Sequence, residues 1–373
     1  MAELLALFQD LAALPSPPGA ERLVADRVLE ELRGLDVDPD EDDAGARIGS
    51  TMGNIYCRFE PSAEGQPVFF CAHLDTVPPE GPIEPVVEEG VVRNAADTIL
   101  GADNKAAVAV MIEAVRRVLA DGRPHAGIEL LFTPKEEVGL VGVREFDFDR
   151  LAAHVGFVYD MAAPIGTVIM AAPSSRKLDV RFRGRAAHSG MAPEEGRSAI
   201  AAASRAIADF RLGRLDDETT ANVGVIRGGS ARNIVPEWCS FEAEVRSLDD
   251  RKLADVVEEM LEAATFAASL AECDVETEVE ESYRAYRFRR SDAPVRLAVA
   301  AFERLAIEPR FETTGGAADA NVFNERGLQC LNLANGMAEI HTADEHIAVD
   351  DLERMTDVTL ALIDVAREAQ GGA

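Results

Sequence analysis

Apolar residues recur along this chain in two rhythms. Leu4, Leu5, Leu7, Phe8, Leu11 and Leu14 share one face at helical spacing and predict an amphipathic helix over about residues 1–14. A second helix is expected over about 20–34, after the breaker Pro15-Ser16-Pro17-Pro18-Gly19. Asp36 to Asp43 reads as an acidic loop. Val108, Met111, Ile112, Val115 and Leu119 predict a helix from Asp103 to Leu119, stopped at Asp121-Gly122. Short β-branched and aromatic runs predict strands at about 53–60, 67–73, 127–133, 155–159 and 166–170. Strands alternating with helices point to an α/β layer structure with a mixed, largely parallel sheet flanked by helices.

From about residue 177 the rhythm changes. A strand (Lys177 to Arg183), a helix (about Gly196 to Leu212), two strands (about 221–227 and 237–246), a helix (Asp249 to Leu270) and a strand (Asp274 to Glu281) follow in turn. That β-α-β-β-α-β order is the ferredoxin-like α+β unit. From Ser291 the earlier pattern resumes, with a helix to Leu305, a turn at Gly315-Gly316 and a terminal helix from Asp350. The expected organisation is one larger domain, 1–174 and 291–373, interrupted by a small inserted domain, 175–290.

Composition narrows the function classes. With 373 residues, 47% hydrophobic and 28% charged, the chain can bury two cores. No basic stretch precedes the first helix, and no apolar run approaches the roughly 20 residues that span a bilayer, so a cytoplasmic protein is expected. The net charge of −30 argues against nucleic acid or an anionic membrane as partner. It fits either a well-solvated surface or adaptation to salt. Cys57, Cys71, Cys239, Cys273 and Cys330 are scattered, with no C-x-x-C spacing, and so predict neither a disulfide framework nor a thiolate metal site.

The chemistry-bearing residues sit where the strands end. Phe69-Phe70-Cys71-Ala72-His73-Leu74-Asp75 ends an apolar run in a histidine with a carboxylate two residues later. On an extended strand these side chains share a side, so Asp75 is expected to accept a hydrogen bond from His73 and orient it for a metal. Alone, the pair also fits a strand-end histidine and a turn aspartate. Asp103 enters a helix, where the helix dipole favours an ionised carboxylate, whether as N-cap or as ligand. Glu136 and Glu137 follow a strand and precede Val138-Gly139, and such a like-charged pair calls for a cation unless it is a solvated turn. One of the two could bind a metal while the other faces a water as general base. Asp160 and His341 each follow an apolar run. In an open α/β sheet, ligands gather at the carboxyl ends of strands. Two histidines and three carboxylates on that edge suit two zinc ions sharing a bridging carboxylate, with cobalt or manganese as alternatives.

The motifs Thr98-Ile99-Leu100-Gly101-Ala102-Asp103-Asn104-Lys105, Gly316-Ala317-Ala318-Asp319-Ala320-Asn321-Val322-Phe323-Asn324 and Ile340-His341-Thr342 carry a resemblance. The chain resembles the di-zinc metallopeptidases of peptidase T, glutamate carboxypeptidase and aminoacylase over essentially its whole length. It is most similar to the peptidase T-like (tripeptide aminopeptidase) branch. The resemblance implies a catalytic domain with an inserted lid and dimerisation domain. It makes His73, Asp103 and Asp160 ligands of one zinc, and Asp103, Glu137 and His341 ligands of the other. Glu136 becomes the general base and Asp75 the orienter of His73. His188 would reach the active site, often from the partner subunit of a homodimer, while Asn233 and Arg246 match positions that bind polar groups of the substrate. Glu345 reads as a support for the ligands or as a solvated helix start. His125, His154 and His346 are expected to be structural. The sequence departs from the branch at Ala96-Asp97, where Asp-Gly is usual, and at Ala317-Ala318, where Gly-Ser is usual.

The expectation is therefore a zinc hydrolase cleaving an amide bond in short peptides, as an aminotripeptidase. The alternatives are an N-acyl amino acid deacylase or carboxypeptidase of the same family, and a catalytically silent protein that captures small peptides.

Overall fold

The computed structural model describes residues 2–369; Met1, within the first expected helix, lies outside the described residues. The chain divides into two compact units. The first comprises Met1–Met170, Arg287–Thr313 and Ala317–Ala373, and the second Ala171–Tyr286 with Thr314–Gly316.

The first unit is built on four parallel strands. In sheet order they are Ile128–Thr133, Val68–His73, Val155–Val158 and Gln329–Leu333. Antiparallel strands flank them, Ile55–Phe59 on one side and Thr167–Ala172 on the other. The first three parallel strands are buried at every residue. They lack an alternating pattern because helices cover both faces. The Ala102–Ala120 helix links the first two strands in sequence and buries 15 residues. With Ala2–Ala13 and Val349–Glu368 it forms much of the core against Phe70, Phe157 and Leu331. Packing there is tight. A β-carbon on Gly156 would lie 2.2 Å from the Phe69 ring, so any side chain there forces the ring or the strand to shift.

Register aligns the ends of these strands. His73 stands opposite Thr133, and Cys71 opposite Val158, which places Asp160, two residues further on, at the level of His73. The strand carrying Asn332 pairs with Val158. Four carboxyl ends thus meet along one rim, as the α/β pattern predicts.

A small three-stranded sheet escaped the sequence pattern. Pro85–Glu88, Val91–Asn94 and His346–Ala348 form it, joining segments more than 250 residues apart. Two of its strands are four residues long and largely exposed or half-buried, so they carry too few apolar positions to announce themselves. The acidic loop also has more structure than expected. Asp40–Glu41 pairs with Tyr56 and Ile55, and Asp42 accepts hydrogen bonds from Ala44 and Asn54.

The second unit is an antiparallel sheet in the order Gly213–Arg214, Thr219–Gly228, Trp238–Ser247, Ser174–Arg183 and Asp274–Tyr283. Two helices, Ala199–Asp209 and Asp250–Leu270, pack on Leu178, Val180, Phe182, Phe241 and Val245. The alternation of buried and exposed residues in Ser174–Arg183 is what a one-faced sheet requires. Ser198 and Asp249 cap the helices, each accepting a backbone N–H from the first turn. The first helix is shorter than the sequence suggested because Ser198 sets its start and the chain is extended again at Phe210.

Candidate metal centre

Asp103 lies at the middle of the rim. One of its carboxylate oxygens, Oδ1, is 3.2 Å from His73 Nε2, and the other, Oδ2, is 3.3 Å from His341 Nε2. Around that axis, Asp160 Oδ1 stands 3.8 Å from His73 Nε2, and Glu137 Oε1 stands 3.1 Å from His341 Nε2. Ligand atoms of His73, Asp103 and Glu137 lie within 4.8 Å of one another, as do those of His73, Glu136 and Asp160. The five residues expected to hold metal, together with Glu136, are therefore one cluster.

Each arrives differently. His73 and Asp160 come from adjacent strand ends, while Glu136 and Glu137 follow the Ile128–Thr133 strand. Asp103 is in the first turn of its helix, with non-helical backbone angles there and a cis peptide to Asn104. His341 departs from expectation. It does not follow directly on a strand: that strand ends at Leu333, and His341 sits in a long loop with φ of 63°. Asn335 and Asn332 tie this loop and its strand to the stretch bearing Asp160, donating to the Tyr159 and Asp160 carbonyls at 2.9 and 2.8 Å.

The orientation of His73 also differs from expectation. Its Nδ1 is 2.8 Å from the backbone carbonyl of Asp75, whereas the Asp75 carboxylate is 3.7 Å away. The strand ends at His73, so the same-side relation of residues two apart no longer holds beyond it. The freed carboxylate has another role. Asp75 Oδ1 accepts the Glu136 N–H at 2.9 Å, and Oδ2 accepts the Glu137 N–H at 3.1 Å. Glu345 does the same for the opposite loop, taking N–H groups of Leu100, Gly101 and Asp103 at 2.8, 2.7 and 2.9 Å.

Asp319 is a buried carboxylate to which the sequence reading assigned no role. Its Oδ2 accepts from Thr133 Oγ1 at 2.6 Å and from Cys71 Sγ at 3.6 Å, and its charge reaches Glu136. The only available signal was its place in the glycine-rich motif. His188 and Asn233 sit together in the second unit, where Ser189 donates to the Asn233 carbonyl and His188 bridges to Ile234. Arg246 is elsewhere in that unit's sheet, paired with Glu244, near the Tyr283 ring and donating to the Gly315 carbonyl. Of the remaining histidines, His125 is buried, and His346 lies in the small sheet with Nδ1 against the Asp344 carbonyl.

Electrostatics follow from the crowding. Burial pushes the Asp160 and Asp75 carboxyls up to about 7, in Asp160 with help from the Asp103 charge. Glu136 is raised well above the usual carboxylate range by burial, with Asp160, Asp319 and Glu137 adding to it. Burial alone would raise Asp103, but its hydrogen bonds to His341 and His73 outweigh that and hold it down. His341 is raised to about 10 by Asp103 and Glu137. No lysine or arginine among the described residues pairs with Asp103, Glu136, Glu137 or Asp160. Four carboxylates and two imidazoles so placed form an oxygen and nitrogen donor set that fits hard or borderline divalent metals.

Comparison with known proteins agrees. A family model described as Peptidase dimerisation domain matches residues 172–269, and one described as Peptidase family M28 matches residues 54–207. The two overlap, and full-length likenesses separate them. The crystal structure of aminopeptidase PepT from Bacillus cereus ATCC 10987 shares 36% identity, with 97% of this chain and 98% of that one covered at a TM-score of 0.88. This chain belongs to the peptidase T-like metallopeptidases. A second member of that group, a tripeptidase from Staphylococcus aureus subsp. aureus Mu50, shares 31% identity over 98% of both chains at a TM-score of 0.93. The YXEP protein of Bacillus subtilis, a dinuclear metal-binding peptidase, has the same fold at 15% identity, with 99% and 98% of the chains covered and a TM-score of 0.76. The peptidase T-like assignment accords with the α/β fold, the metallopeptidase class and the motifs read from the sequence.

Proposed function

We propose that this chain is an aminotripeptidase that works with two zinc ions. The observation that carries this reading is Asp103, whose two oxygens each face a different imidazole. A bridging carboxylate between two cations needs that disposition. His73 and Asp160 would hold one ion with Asp103, and His341 and Glu137 the other. Two such cations would supply Lewis acidity, polarising a peptide carbonyl and easing ionisation of a water.

The chain's own residues supply the proton chemistry. Glu137 touches His341, whereas the Glu136 carboxylate has no hydrogen-bond donor among the described residues and is 8% exposed. Glu136 is therefore the free base. It takes a proton from the attacking water, the oxygen of which bonds to the carbonyl carbon. As the carbon–nitrogen bond breaks, Glu136 returns the proton to the leaving amine. In the metal-free chain, burial raises its carboxyl well above the usual carboxylate range. Asp75 fixes where Glu136 and Glu137 stand, through their backbone N–H groups. We assign His188 to the developing oxyanion, and Asn233 and Arg246 to the polar ends of the substrate, where a guanidinium suits a terminal carboxylate.

The match of 172–269 to a dimerisation domain supports a homodimer. All five cysteines are free, which supports a reducing, cytoplasmic setting. The test is hydrolysis of unblocked tripeptides, dipeptides and N-acetylated amino acids by zinc-loaded protein. Tripeptides should be turned over fastest. Turnover confined to acylated compounds would make the chain a deacylase instead, and two zincs with no hydrolysis of any short peptide would make it a binding protein.

A further inference from the structure

We propose that Lys135 is a positioning residue for Glu136 and Glu137, its side chain tethering from outside the site the loop that carries both. The proposal rests on reading Glu136 as the base and Glu137 as a metal ligand.

The loop leaves the Ile128–Thr133 strand at Pro134 and enters the short helix Val141–Arg144. It turns through two left-handed residues that are not glycine, Lys135 with φ of 55° and Leu140 with φ of 60°. They bracket the two glutamates. An L side chain in this region crowds its own backbone, and glycine would adopt it more cheaply. Strain of this kind persists only where surrounding contacts impose it.

The contacts that impose it are specific. The Glu136 carbonyl accepts the N–H groups of Gly139 and Leu140 at 2.9 Å each, and the Lys135 carbonyl accepts that of Val141 at 3.0 Å. A β-carbon on Gly142 would lie 2.1 Å from the Pro134 carbonyl oxygen, so the two ends of the loop touch. Asp75 holds the Glu136 and Glu137 N–H groups from the side of the centre.

Lys135 adds a tether on the opposite side. Its Nζ donates to the Ile48 carbonyl at 2.7 Å. Ile48 ends the helix Ala44–Ile48, so this carbonyl has no partner inside the helix, and a cation suits that end. No carboxylate pairs with the Lys135 ammonium among the described residues, in a chain with 67 acidic residues against 37 basic ones. The lysine therefore serves by reach and hydrogen bonding, not by an ion pair. The same neighbouring segment grips the far end of the loop. Asn54, 0% exposed, donates to the Gly142 carbonyl at 3.0 Å and to Asp42 at 2.9 Å. Lys135 and Asn54 thus fasten both ends of the loop to residues 42–54, with the two glutamates between the fastenings.

Lys135→Met keeps the length of the side chain and removes its donor, Lys135→Gly also relieves the left-handed strain, and Lys135→Arg keeps a donor. Amide hydrogen exchange on the metal-free protein reads the loop directly. Residues 134–142 should exchange faster in Lys135→Met and Lys135→Gly and near the parent rate in Lys135→Arg, with the Asp250–Leu270 helix unchanged in all three. At saturating zinc, kcat for a tripeptide should fall about 10–100-fold in the first two with KM little changed, since a misplacement of about 1 Å can cost that much. Lys135→Arg should recover most of it. Zinc affinity should fall about 10-fold through Glu137. Lys135→Gly should melt no lower than the parent, because relieved strain offsets the lost bond.

Loop exchange at the parent rate in Lys135→Met, or faster exchange with kcat unchanged, would overturn the proposal. A melting temperature that falls with kcat in Lys135→Gly would make the lysine merely structural and overturn it as well. Should Lys135→Met fail to fold, Lys135→Gly decides by the same measurements. A parent protein that hydrolyses no short peptide would defeat the aminotripeptidase reading instead. Loop exchange and zinc affinity would then decide: faster exchange with weaker zinc supports the tether, and unchanged affinity overturns it.

Discussion

In the proposed mechanism, Asp103 and Glu136 divide the work of the centre between holding and reacting. Asp103 faces both imidazoles, while Glu136 contacts neither and keeps a raised, unpartnered carboxyl. Glu136→Gln should therefore keep its metal, by elemental analysis, and lose about 10²–10⁴-fold in kcat, the span of general-base contributions. Metal loss in that variant would show that Glu136 and Glu137 exchange roles. The residues also set a pH dependence. A histidine must shed its proton to bind a cation, and in the metal-free chain Asp103 and Glu137 hold the His341 proton on up to about pH 10. Metal binding at neutral pH should release protons, and affinity should rise with pH and fall on acidification. Calorimetric titration in two buffers of different ionisation enthalpy measures this; an equal heat in both would refute it.

Among the elements, the parallel strands act as a ruler. His73 opposite Thr133 and Cys71 opposite Val158 bring three ligand-bearing ends to one level. A change that shifts these strands should reach the centre without touching it. Gly156→Ala drives a methyl into the Phe69 ring, which stands 2.2 Å from the β-carbon position. It should cost about 1–3 kcal/mol of stability in urea unfolding, as overpacking does, with metal affinity reduced as well. Legibility at this scale follows burial. Residues 68–73, 128–133 and 155–158 are apolar runs and were readable as strands, and Ala102–Ala120 kept its helical period. The Pro85–Glu88, Val91–Asn94 and His346–Ala348 sheet was not readable, because short half-exposed strands owe their form to pairing partners distant in sequence.

For the whole molecule, the charge of −30 is the dominant long-range property. Added salt screens self-repulsion, so the melting temperature should rise as sodium chloride goes from about 0.01 to 0.15 M, over which the screening length shortens from about 30 to 8 Å. A flat response would mean that the surface charges are already balanced locally. Chemical identity was carried by the sequence alone. Histidine and carboxylate at the ends of apolar runs, together with the Thr98–Lys105 motif, sufficed for the fold class and the peptidase reading, and they named the donors proposed for the metals. Which atom meets which was left to tertiary structure. Asp75 turns to the backbone of Glu136 and Glu137 because the strand stops at His73, and His341 arrives on a loop that no period announces. Asp319 finds its partners, Thr133 and Cys71, far along the chain. Side-chain type is local information, whereas the burial and proximity that decide charge and orientation exist only once distant segments have packed together.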